Sequence, residues 1–161
     1  MIRGAVASDV DALLALERSV PEAAHWSTAE YVQILHPEDH AATLQRWVFI
    51  AEGVAEESEA MLGFIVVKLL RAGKQAQAEI ENLAVSPTAR RRGTGSALCA
   101  AALEACSAAG SQCAELEVRA GNRAAIGLYT RLGFEQTGMR TGYYANPKED
   151  AVLLRITLQK R

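Results

Sequence analysis

The sequence predicts one α/β domain over residues 1–161, in which helices flank a mixed, mostly antiparallel central sheet. The chain has 161 residues, 50% of them hydrophobic, and this length and composition suit a globular protein with a single core. Runs rich in β-forming residues alternate with segments whose apolar residues recur at helical spacing. We therefore expect the strands and helices to pack as layers of one domain.

The overall charge and the cysteine spacing exclude several classes of protein. A net charge of −2 provides no general positive field for a nucleic acid or an anionic membrane. The first residues lack the apolar run of a secretion signal, and Glu104 interrupts the Ala-rich stretch at 96–109, so we expect a cytoplasmic protein without a membrane span. Cys99, Cys106 and Cys113 have a spacing that suits neither zinc nor a disulfide framework, and we expect buried apolar residues.

The N-terminal part predicts one strand and two helices. Residues 2–6 form a short β-rich run, and Ser8 and Asp9 are expected to cap the apolar-periodic helix that follows. Ser27 and Glu30 have the spacing of a capping box, which predicts a second helix that ends before Pro37. Residues 37–45 are expected to form a loop.

The central part predicts three strands and a long helix. Residues 46–51 and 61–70 are β-rich and flank the acidic segment 52–59, which indicates an antiparallel hairpin with a solvated tip. A third strand is expected at 76–85, before Pro87. Gly93 then opens an Ala-rich helix that Gly110 terminates.

The C-terminal part begins with a strand that has a charged face. Apolar and charged residues alternate over 112–119, so that Glu115, Glu117 and Arg119 share one side of the strand. Asn122 is expected to cap a helix that ends at Gly133, and two final strands are predicted at 134–140 and 151–158. A charged face on a central strand indicates a specific role for that face.

The turn before the Ala-rich helix has the chemistry of a phosphate site. Its glycines allow backbone N–H groups to approach anionic oxygens, the helix N-terminus adds unsatisfied donors, and the three arginines at 90–92 add positive charge. A dinucleotide fingerprint would need glycine at Leu98, and a P-loop would need Gly-Lys-Ser/Thr, so both are excluded. The turn therefore predicts a site for another pyrophosphate ligand, with a solvated basic turn as the alternative.

This turn and the downstream segment from Asn122 through Tyr129 to Phe134 resemble the GCN5-related N-acetyltransferase (GNAT) superfamily over roughly residues 46–155. The resemblance implies a GNAT fold whose sheet splays between the fourth and fifth strands, and acetyl-coenzyme A (acetyl-CoA) as cosubstrate without a metal. It implies that the fourth strand pairs with the pantetheine arm and that the turn binds the pyrophosphate. The coenzyme contacts carried over in this way are Leu83, Ala84, Val85, Arg91, Arg92, Gly93, Thr94, Gly95, Ser96 and Asn122.

A narrower resemblance is to the RimI branch of that superfamily, which acetylates protein N-terminal amines. It is carried by residues 116–122, the Ala-Ala-Ile-x-Leu-Tyr run that ends at Tyr129, the pair Tyr143-Tyr144, and residues 149–151. The segment His25-Trp26-Ser27 is similar to its Pro-Trp-Ser element, with His25 in place of proline; Gly121 is a second departure.

The RimI resemblance implies a role for each reacting group. Glu117 is implied as the general base and Tyr129 as the general acid. The implied acceptor is a protein or peptide N-terminus, such as that of a ribosomal protein that begins with Ala. Neither nucleic acid nor membrane is expected as a partner.

The chemistry requires these residue types independently of any family. An α-amine with a pKa of ~8 is largely protonated at neutral pH, so a carboxylate must take a proton from it, directly or through water. Backbone donors near Ala84 and Val85 can stabilise the charge on the thioester oxygen, and a phenol such as Tyr129 can protonate the leaving thiolate. We expect direct attack in a ternary complex, because no cysteine lies at a recognised nucleophile position.

Several alternatives remain open on the sequence alone. Glu117 could be the structural ion-pair partner of Arg119 or of a neighbouring strand, and Glu81, more than Glu79, is a rival base. Candidate substrate contacts are Trp26, Glu81, Tyr143 and Tyr144. The acceptor could also be a lysine side chain or a small amine, and a module that binds coenzyme A without turnover is a further interpretation. His36 and His40 are separated by Pro37, which breaks the helix that a zinc pair would need, so no metal site is expected.

Overall fold

The computed structural model describes residues 1–36, 43–53 and 61–158. Its strands are β1 (Ile2–Gly4), β2 (Leu44–Glu52), β3 (Met61–Ala72), β4 (Gln75–Val85), β5 (Cys113–Arg119), β6 (Glu135–Ala145) and β7 (Lys148–Thr157). Its α-helices are α1 (Val10–Arg18), α2 (Thr28–Leu35), α3 (Thr94–Ala108) and α4 (Arg123–Arg131). Single 3-10 turns precede α1 and follow β4.

The seven strands form one sheet in the order β1-β2-β3-β4-β5-β7-β6. Only the pair β4 and β5 is parallel, and every other neighbouring pair among the described strands is antiparallel. The predicted α/β fold with a mixed, mostly antiparallel sheet is therefore confirmed.

Each face of the sheet carries its own apolar core. One core, on the α1/α2 face, includes Leu13, Tyr31 and Phe64. The other, on the α3/α4 face, includes Leu98 and Leu116. The three cysteines, Cys99, Cys106 and Cys113, are free and buried, as predicted. Apolar side chains of the central strands are buried on both faces, whereas the charged residues of β4 and β5 lie at the gap between these two strands.

A bulge in β4 decides which side chains face which core. Val66 of β3 lies opposite Asn82 and Val67 lies opposite Ile80, so Glu81 has no partner across the pair. Before the bulge Ile80 faces the α3/α4 core, whereas after it Asn82 points to the α1/α2 face. The extra residue thus reverses the alternation of the strand just before its last residues.

The capping predictions have two outcomes. The capping box of α2 is confirmed, because the Glu30 backbone N–H donates to Ser27 Oγ (3.3 Å) and the Ser27 N–H donates to Glu30 Oε2 (2.6 Å). The predicted side-chain cap of the first helix is wrong. The Asp9 carboxylate accepts from the Val6 N–H (2.7 Å) and from Arg3, so it closes the 3-10 turn that precedes α1.

The C-terminal hairpin is longer than predicted. Strand β6 was expected to end at 140 but continues to Ala145, and β7 begins at Lys148, earlier than the expected 151. Two register shifts interrupt β6, and Gly142 has φ +61, with its N–H donated to Asp150 Oδ1 (2.8 Å). These irregularities remove the alternation on which a strand prediction depends.

Two other predictions concern residues outside the described ranges. The acidic tip predicted at 52–59 lies there for the most part, as does the loop predicted at 37–45 up to residue 42. Where the structure resumes, β2 begins at Leu44, two residues earlier than expected.

Candidate functional site

The parallel strands β4 and β5 separate to form a gap in the middle of the sheet. They pair only at Ala78 with Ala114 and at Glu79 with Glu115. Beyond these positions β4 continues to Val85 and pairs only with β3, while β5 continues to Arg119 and pairs only with β7. The splay implied by the resemblance is thus present between the fourth and fifth strands, and two cavities adjoin it.

The first cavity, of about 420 Å³, lies between the end of β4, the turn before α3, and α4. We call it the coenzyme groove. Arg91 and Gly93 both have positive φ values, +61 and +82, so the turn bends sharply into the N-terminus of α3. That terminus and the adjoining arginines make the groove a site for an anion. A side chain at Gly93 would meet no protein atom, but its φ disfavours any residue with a Cβ.

Most of the predicted coenzyme contacts line this groove. They are Leu83, Val85, Arg91, Gly93, Thr94, Gly95, Ser96 and Asn122. Ala84 is buried in the α1/α2 core and Arg92 is exposed, and neither lines the groove. The residues thus fit a ligand with an apolar arm along β4 and an anionic group at the helix terminus.

Four groove residues come from α4 and were missing from the sequence prediction: Ala124, Ala125, Leu128 and Arg131. Leu128 and Arg131 follow Ala124 at i+4 and i+7. This spacing was a usable signal, since residues at i, i+4 and i+7 share a helix face. Gly95 lets α3 pack closely there, because a Cβ at that position would lie 3.1 Å from Leu128 Cδ2.

The second cavity, of about 540 Å³, opens at the gap and extends to the α1/α2 face. We call it the acceptor cavity. Its walls come from the loop at 21–26, from β4 and β5, from α4, and from residues 143–146. Leu83, Asn122 and Ala125 line both cavities, so the groove and the acceptor cavity are contiguous. The predicted residues Glu117, Tyr129, Trp26, Glu81, Tyr143 and Tyr144 all line the acceptor cavity.

Glu117 lies on β5 with its carboxylate on the face opposite Leu116 and Val118, and its side chain is 25% exposed. Arg140 Nε of β6 lies 2.9 Å from Glu117 Oε1. The pKa of Tyr143 is raised chiefly because its hydroxyl is hydrogen-bonded to the same carboxylate. Glu117 is therefore in an ion pair, but its partner is neither Arg119 nor a residue of an adjacent strand: Arg140 belongs to β6, which is separated from β5 by β7.

Arg119 is held by other groups. Its guanidinium lies 3.3 Å from Glu149 Oε1 and 4.2 Å from the ring centre of Tyr144. Glu149 also accepts the Gly121 N–H at 2.6 Å. These contacts fix the turn between β5 and α4, and with it Asn122, whose Oδ1 accepts the Ala125 N–H at 3.2 Å.

Tyr129 combines a core position with access to the cavity. Only 5% of the residue is exposed, and its ring packs against Phe134 at a centroid distance of 5.4 Å. Burial raises the pKa of the phenol well above its usual range, and Cys99 contributes in the same direction. The phenol therefore keeps its proton at neutral pH, which is the form that a general acid needs.

The rival base Glu81 is engaged on the α1/α2 face. Arg46 binds it through two nitrogens, at 2.7 Å and 3.1 Å, and Lys68 Nζ lies 3.5 Å from Oε1. The same Lys68 contacts Glu79 Oε2 at 2.5 Å. Both carboxylates border the cavity, but each is already neutralised by a cation of β2 or β3.

A buried hydrogen-bond network attaches the acceptor loop at 21–26 to β4. Glu17 is 1% exposed, and its Oε1 accepts from Tyr31 Oη (2.7 Å) and from Asn82 Nδ2 (2.8 Å). Asn82 Oδ1 in turn accepts the Ala24 N–H (3.2 Å). Burial and the contact with Glu17 raise the pKa of Tyr31, in that order of size. Sequence reasoning missed this network, because its members are 14 to 65 positions apart.

The acceptor loop also carries Trp26 and His25. Trp26 stacks near Tyr31 with ring centroids 5.7 Å apart. His25 has φ +55, a value that the proline expected from the RimI resemblance could not adopt. The loop therefore has a backbone conformation of its own at this departure from the family pattern.

Neither a metal cluster nor a membrane helix is found within 1–36, 43–53 and 61–158. No group of three or more His, Cys, Asp or Glu residues in these ranges could hold a metal ion. His40, one of the two histidines considered, lies outside them. No helix in the same ranges is long and apolar enough to span a bilayer.

A mixed sheet that splays beside a basic, glycine-containing turn defines a class of protein, and the chain belongs to the Acetyltransferase (GNAT) family. The sequence profile of that family matches residues 12–134. Among individual relatives, the ribosomal protein bS18-alanine N-acetyltransferase of Escherichia coli K12 is 37% identical over 84 residues, 51% of this chain and 57% of the relative. A protein named putative ribosomal protein bS18-alanine N-acetyltransferase from Bacillus subtilis is 35% identical over 83 residues, 52% of this chain and 55% of the relative. The chain thus matches about half the length of these curated relatives.

Solved structures show the same fold over the whole chain. The ribosomal-protein-S18-alanine N-acetyltransferase of E. coli superposes with a TM-score of 0.73 at 24% identity and covers 100% of this chain and 95% of its own. Ard1 from Thermoplasma volcanium superposes with a TM-score of 0.77 at 25% identity and covers 99% and 97%. The similarity therefore extends to the N-terminal helices, which the sequence resemblance at roughly residues 46–155 did not include.

Proposed function

We propose that the protein transfers an acetyl group from acetyl-CoA to the free N-terminal α-amine of a protein or peptide, by direct attack in a ternary complex. The observation that carries the proposal is that Glu117 and Tyr129 line one cavity, which joins an anion-binding groove at the gap in the sheet. A proton acceptor and a proton donor thus lie on one path to a coenzyme site. This is the arrangement that transfer from a thioester to an amine requires.

The coenzyme groove suits acetyl-CoA in shape and charge. The turn at 91–95 and the N-terminus of α3 would hold the pyrophosphate, while Leu83 and Val85 would lie along the pantetheine arm. When bound, acetyl-CoA supplies the activated acetyl group. A protein of the same fold from Arabidopsis thaliana, NAA60, has been crystallised with acetyl-CoA, which supports this cosubstrate.

The reacting groups of the chain have complementary roles in the proposal. Glu117 accepts the proton that the amine loses, and Tyr129, whose phenol is protonated at neutral pH, donates a proton to the departing sulfur. Backbone donors near Ala84 and Val85 would stabilise the negative charge that develops on the carbonyl oxygen. The names of the relatives support a ribosomal protein that begins with Ala as the acceptor.

Mass spectrometry of the purified protein with acetyl-CoA and a peptide library tests the proposal. The library varies the first residues of peptides with free N-termini, and it includes the N-terminus of ribosomal protein bS18 and N-terminally blocked peptides that contain lysine. We expect the mass of one acetyl group to be gained by free N-termini alone. Gain on blocked lysine peptides would show side-chain acetylation, and coenzyme binding without any acetylated peptide would favour a small amine or a module without turnover.

A further inference from the structure

The charged side chains that line the acceptor cavity are already paired. The cavity wall contains four carboxylates and one guanidinium, those of Glu22, Glu79, Glu81, Glu117 and Arg119. Glu22 pairs with Arg90 (3.6 Å), Glu79 with Lys68 (2.5 Å), Glu81 with Arg46 (2.7 Å), Glu117 with Arg140 (2.9 Å) and Arg119 with Glu149 (3.3 Å). A cation that enters this cavity therefore meets carboxylates whose charge is already neutralised.

The pair between Glu117 and Arg140 is the one at the reacting position. Arg140 reaches Glu117 from β6, and 56% of its side chain is exposed. Tyr143 of the same strand also lines the cavity, and Glu117 raises the pKa of its phenol. An incoming amine thus finds Glu117 beside the positive charge of Arg140 and near a phenol.

The other titratable groups around Glu117 do not offset that positive charge. On β5 itself, Glu115 pairs with Arg155 of β7 at 3.3 Å. From β4, Glu79 and Glu81 face the gap with their own cations, and from α4 the neutral phenol of Tyr129 borders the cavity. The remaining neighbours are Tyr144, beside the paired Arg119, and His25 of the acceptor loop, whose Nε2 lies 3.2 Å from the Pro21 carbonyl oxygen.

An ammonium and a neutral amine would differ in their electrostatic energy in such a cavity. An ammonium would place a second positive charge beside Arg140 on one carboxylate, whereas a neutral amine adds no charge. At neutral pH about one in ten α-amines with a pKa of ~8 is neutral, against fewer than about one in 2,000 lysine side chains with a pKa of ~10.4. A cavity that accepts the neutral form thus favours the α-amine by about 200-fold.

Building on the proposed function, we propose that Arg140 determines acceptor specificity: by holding Glu117 in an ion pair, it restricts the cavity to neutral amines and so selects N-terminal α-amines over lysine side chains. The amine lone pair forms the C–N bond to the acetyl carbon as the C–S bond breaks. The proton lost by the nitrogen passes to Glu117, and Tyr129 provides the proton that the sulfur takes. The products are an amide and the free thiol, and water restores both residues.

The test compares kcat/KM for two peptides of the same sequence across a range of pH. One has a free N-terminal Ala and no lysine, and the other is blocked at its N-terminus and carries a single lysine. In the wild-type enzyme we expect the first to be favoured by on the order of 100-fold, with each profile rising towards the pKa of its own amine. In Arg140→Gln we expect this preference to fall at least about tenfold and the rise with pH to flatten, because Glu117 can then bind an ammonium.

Two further variants separate this role from a structural one. Arg140→Lys keeps the positive charge and should retain most of the preference. Arg155→Gln removes a cation of similar exposure, 50%, from the same face of the sheet but outside the acceptor cavity, and should leave the preference and the pH profiles unchanged.

The outcomes distinguish this proposal from the proposed function. If Arg140→Gln acetylates the free N-terminus with the wild-type preference and pH profile, selection by Arg140 is overturned and N-terminal acetylation stands. If the wild-type enzyme acetylates neither peptide, the proposed function is the statement that fails.

Discussion

At the scale of single residues, Glu117 is the group whose replacement should separate chemistry from binding. Glu117→Gln removes the proton acceptor but little volume, so we expect kcat to fall by about 10²-fold or more while the Kd for acetyl-CoA stays near the wild-type value. Steady-state kinetics with an Ala-initiated peptide and calorimetric titration with acetyl-CoA measure the two quantities.

Glu115→Gln is the matched control for this substitution. Glu115 lies two residues earlier on the same face of β5, in an ion pair with Arg155, and does not line the acceptor cavity. Its replacement should leave kcat within a few-fold of the wild type. Wild-type turnover in Glu117→Gln would instead transfer the role of base to Glu81 or to water.

How far single residues could be predicted from the sequence depends on how local their signals are. Glu117 and Tyr129 each belong to a short motif, and the structure places both at one cavity. Arg140 carried no such signal, because it meets Glu117 only through the pairing of β5 with β7 and of β7 with β6. The Glu17, Tyr31 and Asn82 network was missed for the same reason, since burial brings its members together from two helices and a strand.

At the scale of elements, the turn between β4 and α3 should control coenzyme affinity. Gly93→Val places a β-branched residue at φ +82 at a position that lines the groove, so it should disturb the turn and crowd an anionic ligand there. We expect the Kd for acetyl-CoA to rise by roughly tenfold or more, as measured by calorimetric titration. Wild-type affinity would contradict the pyrophosphate assignment.

The β3–β4 turn supplies the control for backbone strain. Gly73 has φ +61 and, like Gly93, has no neighbouring heavy atom within 4 Å of the position that a Cβ would occupy. It lies far from the groove in the chain and does not line it. Gly73→Val should therefore lower stability by a comparable amount, about 1 to 2 kcal/mol, and leave the Kd for acetyl-CoA unchanged.

The connection between α1 and α2 should control acceptor binding through the buried network. Tyr31→Phe keeps the ring contacts with Trp26 and Phe64 but removes the hydroxyl that donates to Glu17. We expect stability to fall by about 1 to 3 kcal/mol, and the KM for the peptide to rise by roughly threefold to tenfold, because the acceptor loop is less firmly held. The Kd for acetyl-CoA should change little.

Ser111→Ala tests whether the change in KM is specific. Ser111 is also buried, and its hydroxyl donates to the Cys113 carbonyl at 2.7 Å, outside both cavities. The Ser111→Ala variant should be less stable than the wild type, with an unchanged KM for the peptide. Equal increases in KM for the two variants would attribute the effect to general loosening of the fold.

The elements themselves were predictable to the extent that their periodicity was regular. Strand β5 and helix α4 were located to within a residue or two, because the apolar positions of each recur without interruption. Strand β6 was predicted too short, since its glycines and register shifts break the alternation. The bulge at Glu81 was not predicted, because the sequence pattern of β4 does not indicate it. Bulges insert one residue and are decided by the partner strand, which a linear pattern does not contain.

At the scale of the whole molecule, a small cluster of charges joins the N-terminal strand to the rest of the sheet. Arg3 contacts Asp9 at 2.9 Å and Glu52 of β2 at 2.6 Å. The hydrogen bonds from Arg3, with the Val6 N–H as a further donor, lower the pKa of Asp9 below its usual value. A carboxyl whose pKa is lowered by folding adds stability above its unfolded pKa, and that stability is lost as the pH falls through the folded pKa.

Asp9→Asn should therefore lower the free energy of unfolding by an amount that depends on pH. Near neutral pH we expect the free energy of unfolding to fall by about 1 kcal/mol, a modest value because solvent screens the partly exposed Arg3. The difference should begin to shrink as the pH falls below about 4, the pKa in the unfolded chain, and vanish only below the lowered pKa of the folded carboxyl. Urea denaturation at neutral and acidic pH measures the difference in the free energy of unfolding, and Asp11→Asn, at an exposed position, is the control. If the difference does not change with pH, the ion pair is not its cause.

The separation of β4 from β5 has a consequence for how this molecule behaves among other proteins. A strand at the rim of a sheet has backbone groups without a paired neighbour, and another chain can pair with them. Such edges promote aggregation. Here the two free edges face each other inside the sheet, between β3 and β7, and converge where Ala78 pairs with Ala114. A foreign strand needs about 4.8 Å on each side along its whole length, which converging edges do not offer. The backbone groups at these edges are therefore reachable by a narrow ligand but cannot pair along their length with a further strand.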